Sequence, residues 1–254
     1  MGVRSRSDSL WPRLPAALAL AGAVDRVELK VLLCARDPAA VLAALPVDRR
    51  NAQAGQVSFL DTPDLELRRR GLLVRARFSG HRGDVTVKRR RRVRAWSTTM
   101  PAPVPAVRVE MDALPATYLR TESLRSRPSR DTLAEAVVGA RPPKALLSAP
   151  QRTFLQQTSA GADVDRLASL GSVATLRIPV RWPGSEDRPM LDAWRHPDGA
   201  VTLELSCKCE PERADRTALA LSALLAERDV APAEVQNTKA DTLLRARRPQ
   251  LIVP

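Results

Sequence analysis

The chain has 254 residues, 44% of them hydrophobic, so it has enough apolar material for one large domain or two small ones and is not expected to be disordered. Its formal charge of +13 and its pI near 11 favour an anionic partner, which leaves nucleic acid, acidic lipid and polyphosphate as candidate classes. Aromatic residues make up only 3% of the chain, which argues against a protein that stacks many bases on its side chains.

The first predicted strand puts three charged side chains on one face. Residues 25–33 alternate between polar and apolar, so Arg26, Glu28 and Lys30 leave the strand on the same side. A helix is predicted directly afterwards at 37–45, where an Asp-Pro pair supplies the N-cap and the first turn.

The stretch from Phe59 to Arg77 is the most distinctive part of the sequence. It predicts a strand end, a Thr-Pro turn, a short helical turn that ends at Gly71, and a second strand from Leu73. Alternation along this second strand places Arg75 beside Arg77 on one face. Two guanidinium groups on one face need an acidic partner, either a carboxylate cluster or a phosphate.

Beyond this stretch the pattern predicts six strands and three helices. A basic run at 88–94 and a proline-rich turn at 100–105 separate the first two strands, and the segment 115–150 is irregular apart from one helix. An Asp-Gly turn at 198–199 predicts a hairpin. The predicted strands cover residues 84–88, 107–112, 152–157, 174–182, 189–195 and 200–209, and the helices cover 132–140, 216–228 and a segment from Asn237 toward Arg247.

The cysteines and histidines are given structural interpretations. Three cysteines without a CxxC pair, and only two histidines, make a zinc site unexpected and fit a reducing, cytoplasmic environment. We expect Cys207 and Cys209 to pack outside the sheet against the helix at 216–228. His81 and His196 lie in predicted loops beside Gly or Pro, so we expect both to be exposed.

The two ends of the chain define the predicted domain limits. The apolar run in residues 11–24 resembles a short secretory signal, but it leads straight into the first strand. We therefore predict a mobile or packing N-terminal segment over 1–22, a single domain over 23–248 and a C-terminal tail over 249–254. No segment has the length of a membrane span, so no membrane partner is expected.

About eight strands with flanking helices predict an α+β fold in which one sheet curls or closes on itself. Unpaired buried charges cost on the order of several kcal/mol each, so a charged lumen must be wet or filled by a charged ligand. Basic side chains suit phosphate oxygens, and carboxylates suit a hard divalent cation such as Mg²⁺ or Mn²⁺. The predicted inward-facing side chains are Arg26, Glu28, Lys30, Arg75, Arg77, Lys88, Arg108, Glu110, Asp112, Thr202, Glu204, Ser206 and Lys208.

The order of these motifs resembles the CYTH proteins, also called triphosphate tunnel metalloenzymes. Residues 26–30 are similar to the family's Glu-x-Glu-x-Lys in two of three positions, and Phe59–Arg77 is similar to its Asp-Thr-Pro stretch with paired arginines almost throughout. The resemblance covers roughly residues 24–245. Further elements that resemble the family are Thr-x-Lys at 86–88, Arg-x-Glu-x-Asp at 108–112, Leu191-Asp192, Glu204 and Thr238-Lys239-Ala240.

The resemblance implies an eight-stranded antiparallel β-tunnel with helices outside. It also implies activity on a triphosphate-containing small molecule with Mg²⁺ or Mn²⁺, as a triphosphatase or an adenylate-cyclase-like protein. The residues it implies for phosphate binding are Lys30, Arg75, Arg77 and Lys88, and we add Arg108, Lys208 and Lys239 as further candidates for the same role. Those it implies for metal binding are Glu28, Glu110, Asp112, Asp192 and Glu204, and among them Glu28, Glu110 and Glu204 are the catalytic candidates.

Two positions depart from the family pattern and leave three hypotheses. Arg26 stands where the first glutamate is expected, and Ser206 stands where a second acid follows Glu204. Either the remaining acids still bind a metal and give a hydrolase or cyclase, or the tunnel binds phosphate through its cations alone. The third hypothesis is a nucleic-acid-binding protein that uses the basic run at 88–94.

Overall fold

Nine strands within the described residues close into a barrel. The computed structural model describes residues 9–80, 82–93, 106–159, 161, 163–182 and 185–239. The strands are β1 (Arg26–Leu33), β2 (Gln53–Asp61), β3 (Leu72–Ser79), β4 (Arg82–Arg92), β5 (Arg108–Leu114), β6 (Thr117–Ser126), β7 (Ala168–Pro179), β8 (Met190–Arg195) and β9 (Val201–Cys209). Around the barrel their order is β1-β5-β6-β4-β3-β2-β7-β8-β9.

The strand pairing confirms the predicted fold class and changes two of its details. The protein is an α+β tunnel with helices outside, but the described residues form nine strands instead of eight. Neighbouring strands are antiparallel except at the contact between β1 and β5, which is parallel. This contact brings Glu28 opposite Asp112, while the antiparallel contact of β1 with β9 brings Glu28 opposite Lys208.

The helices lie outside the barrel wall. They are α1 (Leu14–Ala21), α2 (Pro38–Ala44), α3 (Glu66–Arg69), α4 (Arg130–Val137), α5 (Ala149–Thr158) and α6 (Ala214–Glu227). Among the described residues, none of these helices combines the length and the apolar character that a membrane crossing requires.

Two apolar clusters lie outside the barrel, because most strands turn their apolar face outward. A third, formed by Val57, Phe59, Val173 and Trp194, lies on the inner side of the wall, where Val57, Phe59 and Trp194 line the cavity. On β3, Leu72, Val74 and Ala76 are buried in a cluster with residues of α4 and α5. Arg75 and Arg77 alternate with them and line the interior of the barrel. A second cluster joins the outward residues of β1, β5 and β9 to α1 and α6. The inward-facing residues of the strands, mostly charged with one apolar patch, therefore set the chemistry of the lumen.

The N-terminal segment packs on the barrel from residue 9 onward. Trp11 is 1% exposed, and its indole Nε1–H donates to the carbonyl of Ala113 at 2.9 Å. Arg120 donates to the carbonyls of Ala21 and Ala23 just beyond α1. Residues 1–8 of the predicted N-terminal segment, the C-terminal tail at 249–254 and residues 240–247 of the predicted last helix lie outside the described residues.

Strand β6 falls in the segment that was predicted to be irregular. Its outward face carries Arg120 and Glu122, and Glu122 is paired with Arg89 beneath α5. Its inward face carries Thr121, Ser123 and Arg125, so no alternation of apolar with polar residues marks it as a strand. The prediction failed because the outward face mixes polar with apolar residues, Tyr118 and Leu124 lying on the same side as Arg120 and Glu122.

The predicted strand at 152–157 is wrong, since these residues belong to helix α5. Ser148 caps the helix in a capping box with Gln151, and a proline occupies the first turn. Phe154 and Leu155 are buried on one side of the helix. The cap and the proline outweigh the β propensity of the short apolar run.

The predictions for the cysteines and histidines have mixed outcomes. Cys207 and Cys209 are each 1% exposed and pack with residues of α6, as predicted. Burial raises the pKa of Cys207 to about 12 and that of Cys209 to about 11. His196 was expected to be exposed, but it is buried, with 7% of its surface exposed. The β8–β9 turn brings its Nε2 within 2.7 Å of the Thr202 hydroxyl. His81 lies outside the described residues, as do Arg94 and the turn at 100–105.

Removing the Asp61 carboxylate should destabilise the fold by about 2 kcal/mol. Asp61 is 4% exposed and accepts backbone hydrogen bonds from Thr62, Leu67 and Arg68 at 2.7, 2.9 and 3.0 Å, so it holds the turn between β2 and β3. Urea unfolding of Asp61→Ala measures the loss. Asp37→Ala removes the exposed cap of α2 and is the matched control, with an expected cost of about 1 kcal/mol or less. Equal costs for the two variants would contradict a special role for the buried carboxylate.

Candidate functional site

A cavity of about 700 Å³ fills the interior of the barrel. Of the twelve residues predicted for the site, eleven line this cavity, and the remaining one, Asp112, is fully buried directly behind it. The volume lies within the range of about 300–1,000 Å³ typical of small-molecule sites. The lining residues from the prediction are Glu28, Lys30, Arg75, Arg77, Lys88, Arg108, Glu110, Asp192, Glu204, Lys208 and Lys239.

Four arginines that the sequence analysis missed also line the cavity: Arg90, Arg125, Arg127 and Arg177. Arg90 follows Lys88 by two residues on β4, so extending the alternation would have found it. Arg125 lies on β6, and Arg127 follows it just beyond the strand end, so both depend on the strand that was not predicted. With these four, eleven basic and four acidic side chains line the described part of the cavity, a formal excess of seven positive charges. This excess calls for an anionic occupant.

Three carboxylates form a cluster on the wall made by β1 and β5. Oxygens of Glu28, Glu110 and Asp112 lie within 4.8 Å of one another. The ammonium of Lys30 is 2.9 Å from Glu28 Oε2 and 2.9 Å from Asp112 Oδ1. The ammonium of Lys208 is 2.6 Å from Glu110 Oε1 and 3.8 Å from Glu28 Oε2. Two lysines thus hold the acids of this cluster.

The same pairs set the protonation of the cluster. Burial acts to raise the pKa of Glu28, but the Lys30 and Lys208 ammonium groups outweigh it and lower that pKa to about 2. Burial likewise opposes ionisation of Asp112, yet Lys30, followed by Lys88 and Arg90, holds its pKa well below the usual value. Both carboxylates are therefore ionised at neutral pH.

A second cluster forms around Asp84, which holds arginines on the neighbouring wall. Arg77 donates to Asp84 Oδ2 from Nε at 3.0 Å, and Arg125 donates to the same oxygen at 3.0 Å. Arg75 lies further away, with its Nη2 3.9 Å from Asp84 Oδ1. Within the described residues, the buried Nε of Arg75 has no hydrogen-bond partner. Burial, with Arg77 next to it, lowers the pKa of Arg75 to about 10. Arg75 thus keeps donors available for a ligand.

A third cluster forms around Lys239 on the β8–β9 side. Its ammonium is 2.5 Å from Asp192 Oδ2, 2.9 Å from Glu204 Oε1 and 5.0 Å from the centre of the Trp194 ring. Arg177 donates to Asp192 Oδ1 at 2.8 Å. Burial opposes ionisation of Asp192, but Lys239 and Arg177 lower its pKa below the usual value. Asp192 and Glu204 therefore form a pair of acids in a cluster of their own.

The two departures from the family pattern have different surroundings. Arg26 was predicted to face the lumen, but it is partly exposed, pairs with Glu210 and does not contribute to the described cavity lining. Ser206 is 4% exposed and lies opposite Lys30 on β1. Neither position supplies an acid to the lumen.

Among the described residues, Lys88 is a buried cation whose positive charge is only weakly offset by nearby acids. Within the described residues, no carboxylate oxygen lies within 4.0 Å of its ammonium, so it has no salt bridge. Burial, only partly opposed by Asp112 and reinforced by Lys30 and Arg90, lowers the pKa of Lys88 to about 7. An anion placed beside it would restore its charge.

The donor chemistry of the first cluster fits a hard divalent cation. Glu28, Glu110 and Asp112 offer carboxylate oxygens, the ligands that Mg²⁺ and Mn²⁺ prefer, and their oxygens are close enough to share one ion. The two lysines hold the same oxygens, so a metal would compete with them.

Two solved structures share this architecture. HpAC1 from Hippeastrum, described as having a dominant triphosphatase activity, aligns with a TM-score of 0.61 at 17% identity over 89% of this chain and 99% of its own. A candidate adenylate cyclase from Bacillus halodurans aligns with a TM-score of 0.58 at 14% identity over 86% of this chain and 98% of its own. No protein-family model and no curated protein matches the chain. At these identities the likeness establishes the tunnel fold.

Replacing Lys88 with Met should stabilise the fold most at low pH. The pKa of Lys88 falls from 10.5 to about 7 on folding, so between these values the unfolded chain holds a proton that the folded chain has released. The free energy of unfolding of the wild type therefore rises with pH through this window relative to K88M, by up to about 1.4 kcal/mol per pH unit. Urea unfolding from about pH 6 to about pH 9 measures the gap.

Lys144→Met is the control for this measurement, because Lys144 is half exposed and pairs with Asp165 at 2.9 Å. The difference in unfolding free energy between wild type and K144M should stay nearly constant across this pH range. A gap between wild type and K88M that does not change with pH would mean that Lys88 keeps its proton in the folded protein.

Proposed function

We propose that this protein binds a triphosphate-containing small molecule in its tunnel and hydrolyses it with Mg²⁺ or Mn²⁺ as cofactor. The observation that carries the proposal is the formal excess of seven positive charges on the cavity wall, next to an ionised acid cluster. A chain of phosphates is the small-molecule class that matches both, because its oxygens accept from basic side chains and also bind a hard cation.

The phosphate oxygens would be bound first by the cations that have donors to spare. Arg75 has an unpartnered Nε, and Lys88 has no carboxylate within salt-bridge distance in the described residues. Arg77 is held in place by Asp84 and presents its remaining donors to the lumen. Arg108 lines the same cavity. Lys30, Lys208 and Lys239 would contribute from the acid clusters in which they lie.

The metal would be held by Glu28, Glu110 and Asp112, with Asp192 and Glu204 available as a second pair. When bound, such a cation neutralises charge on the phosphate oxygens and orients the substrate. The protein side chains then have two tasks. The cations fix the phosphate chain, and Glu28, Glu110 and Glu204 accept hydrogen bonds from the attacking water. Hydrolysis breaks one P–O–P bridge, transfers the water oxygen to phosphorus and releases a proton to the phosphate products.

The fold neighbours support this class of chemistry. HpAC1 has a dominant triphosphatase activity, and the Bacillus halodurans protein is a candidate adenylate cyclase. The same wall of cations would bind the triphosphate of ATP, so attack by the ribose hydroxyl in place of water is the cyclase variant of the proposal. Hydrolysis is the variant proposed here, with Glu28 and Glu110 as the acceptors for the attacking water.

A metal-independent phosphate binder is the second candidate. It is favoured by one observation, that Lys30 and Lys208 already occupy the acid cluster and offset two of its three formal negative charges. In that case the tunnel would bind its anion tightly without turnover.

Removal of Arg75 should weaken tripolyphosphate binding by about tenfold or more. Calorimetry with tripolyphosphate in EDTA measures the affinity without metal. Arg50→Ala is the matched control, since Arg50 is exposed on the outer surface and the change in net charge is the same. If R75A and R50A lose affinity equally, the anion binds outside the tunnel. Loss on neutralising Arg91 and Arg92 instead would favour the nucleic-acid hypothesis, because both are exposed.

Glu110→Gln should lower the rate of tripolyphosphate hydrolysis with Mn²⁺ by about 100-fold. The reason is that the amide is a poor ligand for a hard cation and a poor acceptor for the attacking water. Phosphate release measures the rate. Glu186→Gln, an exposed partner of Arg213, is the control and should keep full activity. Tight binding without turnover by the wild type would identify the protein as a metal-independent binder.

A further inference from the structure

We propose that Lys208 is a resident cation that stands in for the divalent ion, so that metal enters the acid cluster only when Lys208 leaves it. The proposal deepens the proposed function by assigning the control of metal binding to one side chain. It starts from the position of the Lys208 ammonium, which contacts Glu110 at 2.6 Å and lies 3.8 Å from Glu28. Both of these acids belong to the three-carboxylate cluster.

Strand register explains why Lys208 reaches this place. Strand β9 pairs with β1 so that Lys208 lies directly opposite Glu28. On the other side of β1, strand β5 runs parallel to it and places Asp112 opposite the same glutamate. Glu110 precedes Asp112 by two residues and therefore faces the lumen as well. Lys208 thus meets the cluster from the β9 side by backbone geometry.

Charge makes Lys208 a competitor of metal. An ammonium in contact with two carboxylates and a divalent cation bound by the same oxygens repel each other strongly in a partly desolvated site. Removing Lys208 makes the cluster one unit more negative and frees Glu110 Oε1, which has no other salt bridge in the described residues. The cluster would then have the charge and the open ligands that a hard cation requires.

Exposure distinguishes Lys208 from Lys30, the other lysine in the cluster. The side chain of Lys208 is 50% exposed, whereas that of Lys30 is 10% exposed and held between two acids. Lys208 therefore has room to swing out of the cluster into solvent or toward a phosphate, and Lys30 does not. Lys30 fixes the acids, and Lys208 is the exchangeable cation.

The test measures Mn²⁺ binding by the full chain without phosphate, using electron paramagnetic resonance of the free ion. Lys208→Met keeps the aliphatic stem and should bind Mn²⁺ at least about tenfold more tightly than the wild type. Lys144→Met changes the net charge equally at a half-exposed site remote from the cluster and should leave the affinity at the wild-type value. Adding Glu110→Gln to K208M should remove the gain.

Equal Mn²⁺ affinity in wild type and K208M would overturn the proposal, as would a gain that K144M reproduces. Lys208→Gln provides a second variant if K208M fails to fold, with the same expected gain. The outcome is independent of turnover. If K208M binds Mn²⁺ more tightly but the wild type hydrolyses nothing, only the proposed function is contradicted. If the wild type hydrolyses tripolyphosphate but the two Mn²⁺ affinities are equal, only the role of Lys208 is contradicted.

Discussion

The structure depends on the burial of opposite charges inside a closed sheet. Most strands direct apolar residues outward, where α1, α4, α5 and α6 cover them, and their charged residues meet in the lumen beside an apolar patch of Val57, Phe59 and Trp194. A buried carboxylate without a partner is costly, so the inward acids are each held by basic groups from other strands or from Lys239 beyond α6. The positions of the cations follow from these pairs.

Three acids therefore determine how the wall presents its positive charge. Asp84 aligns Arg77 with Arg125, Asp112 holds Lys30, and Asp192 joins Arg177 to Lys239. Because the acids use only part of each donor set, the lumen remains strongly positive while its groups stay fixed. A rigid array of this kind loses little conformational entropy when an anion binds, which favours affinity.

Alternation within single strands was enough to predict most of the site. The motif at 26–30 and the pair Arg75 and Arg77 are local patterns, and Glu28, Lys30, Arg75 and Arg77 line the cavity as the two-residue period requires. Arg26 was predicted on the same face but lies outside the cavity lining. Strand β6 was missed because its outward face mixes polar with apolar residues and so shows no regular alternation. Residues 152–157 were misassigned because the helix cap outweighs the β propensity of that segment. The partner of Lys208 lies 98 residues away, so its contact with Glu110 is set by barrel closure and leaves no local signal in the sequence.

The parallel contact between β1 and β5 has a consequence for folding kinetics. It joins segments about eighty residues apart, and the Lys30–Asp112 bond, with a separation of 82, crosses this seam. Such long-range pairing forms slowly, because the entropy cost of closing a long loop comes before any stabilising contact is made. The acid cluster is therefore completed only when the seam forms, and partly folded chains lack it. An anion or cation that binds across the seam would slow its reopening and so extend the lifetime of the native state.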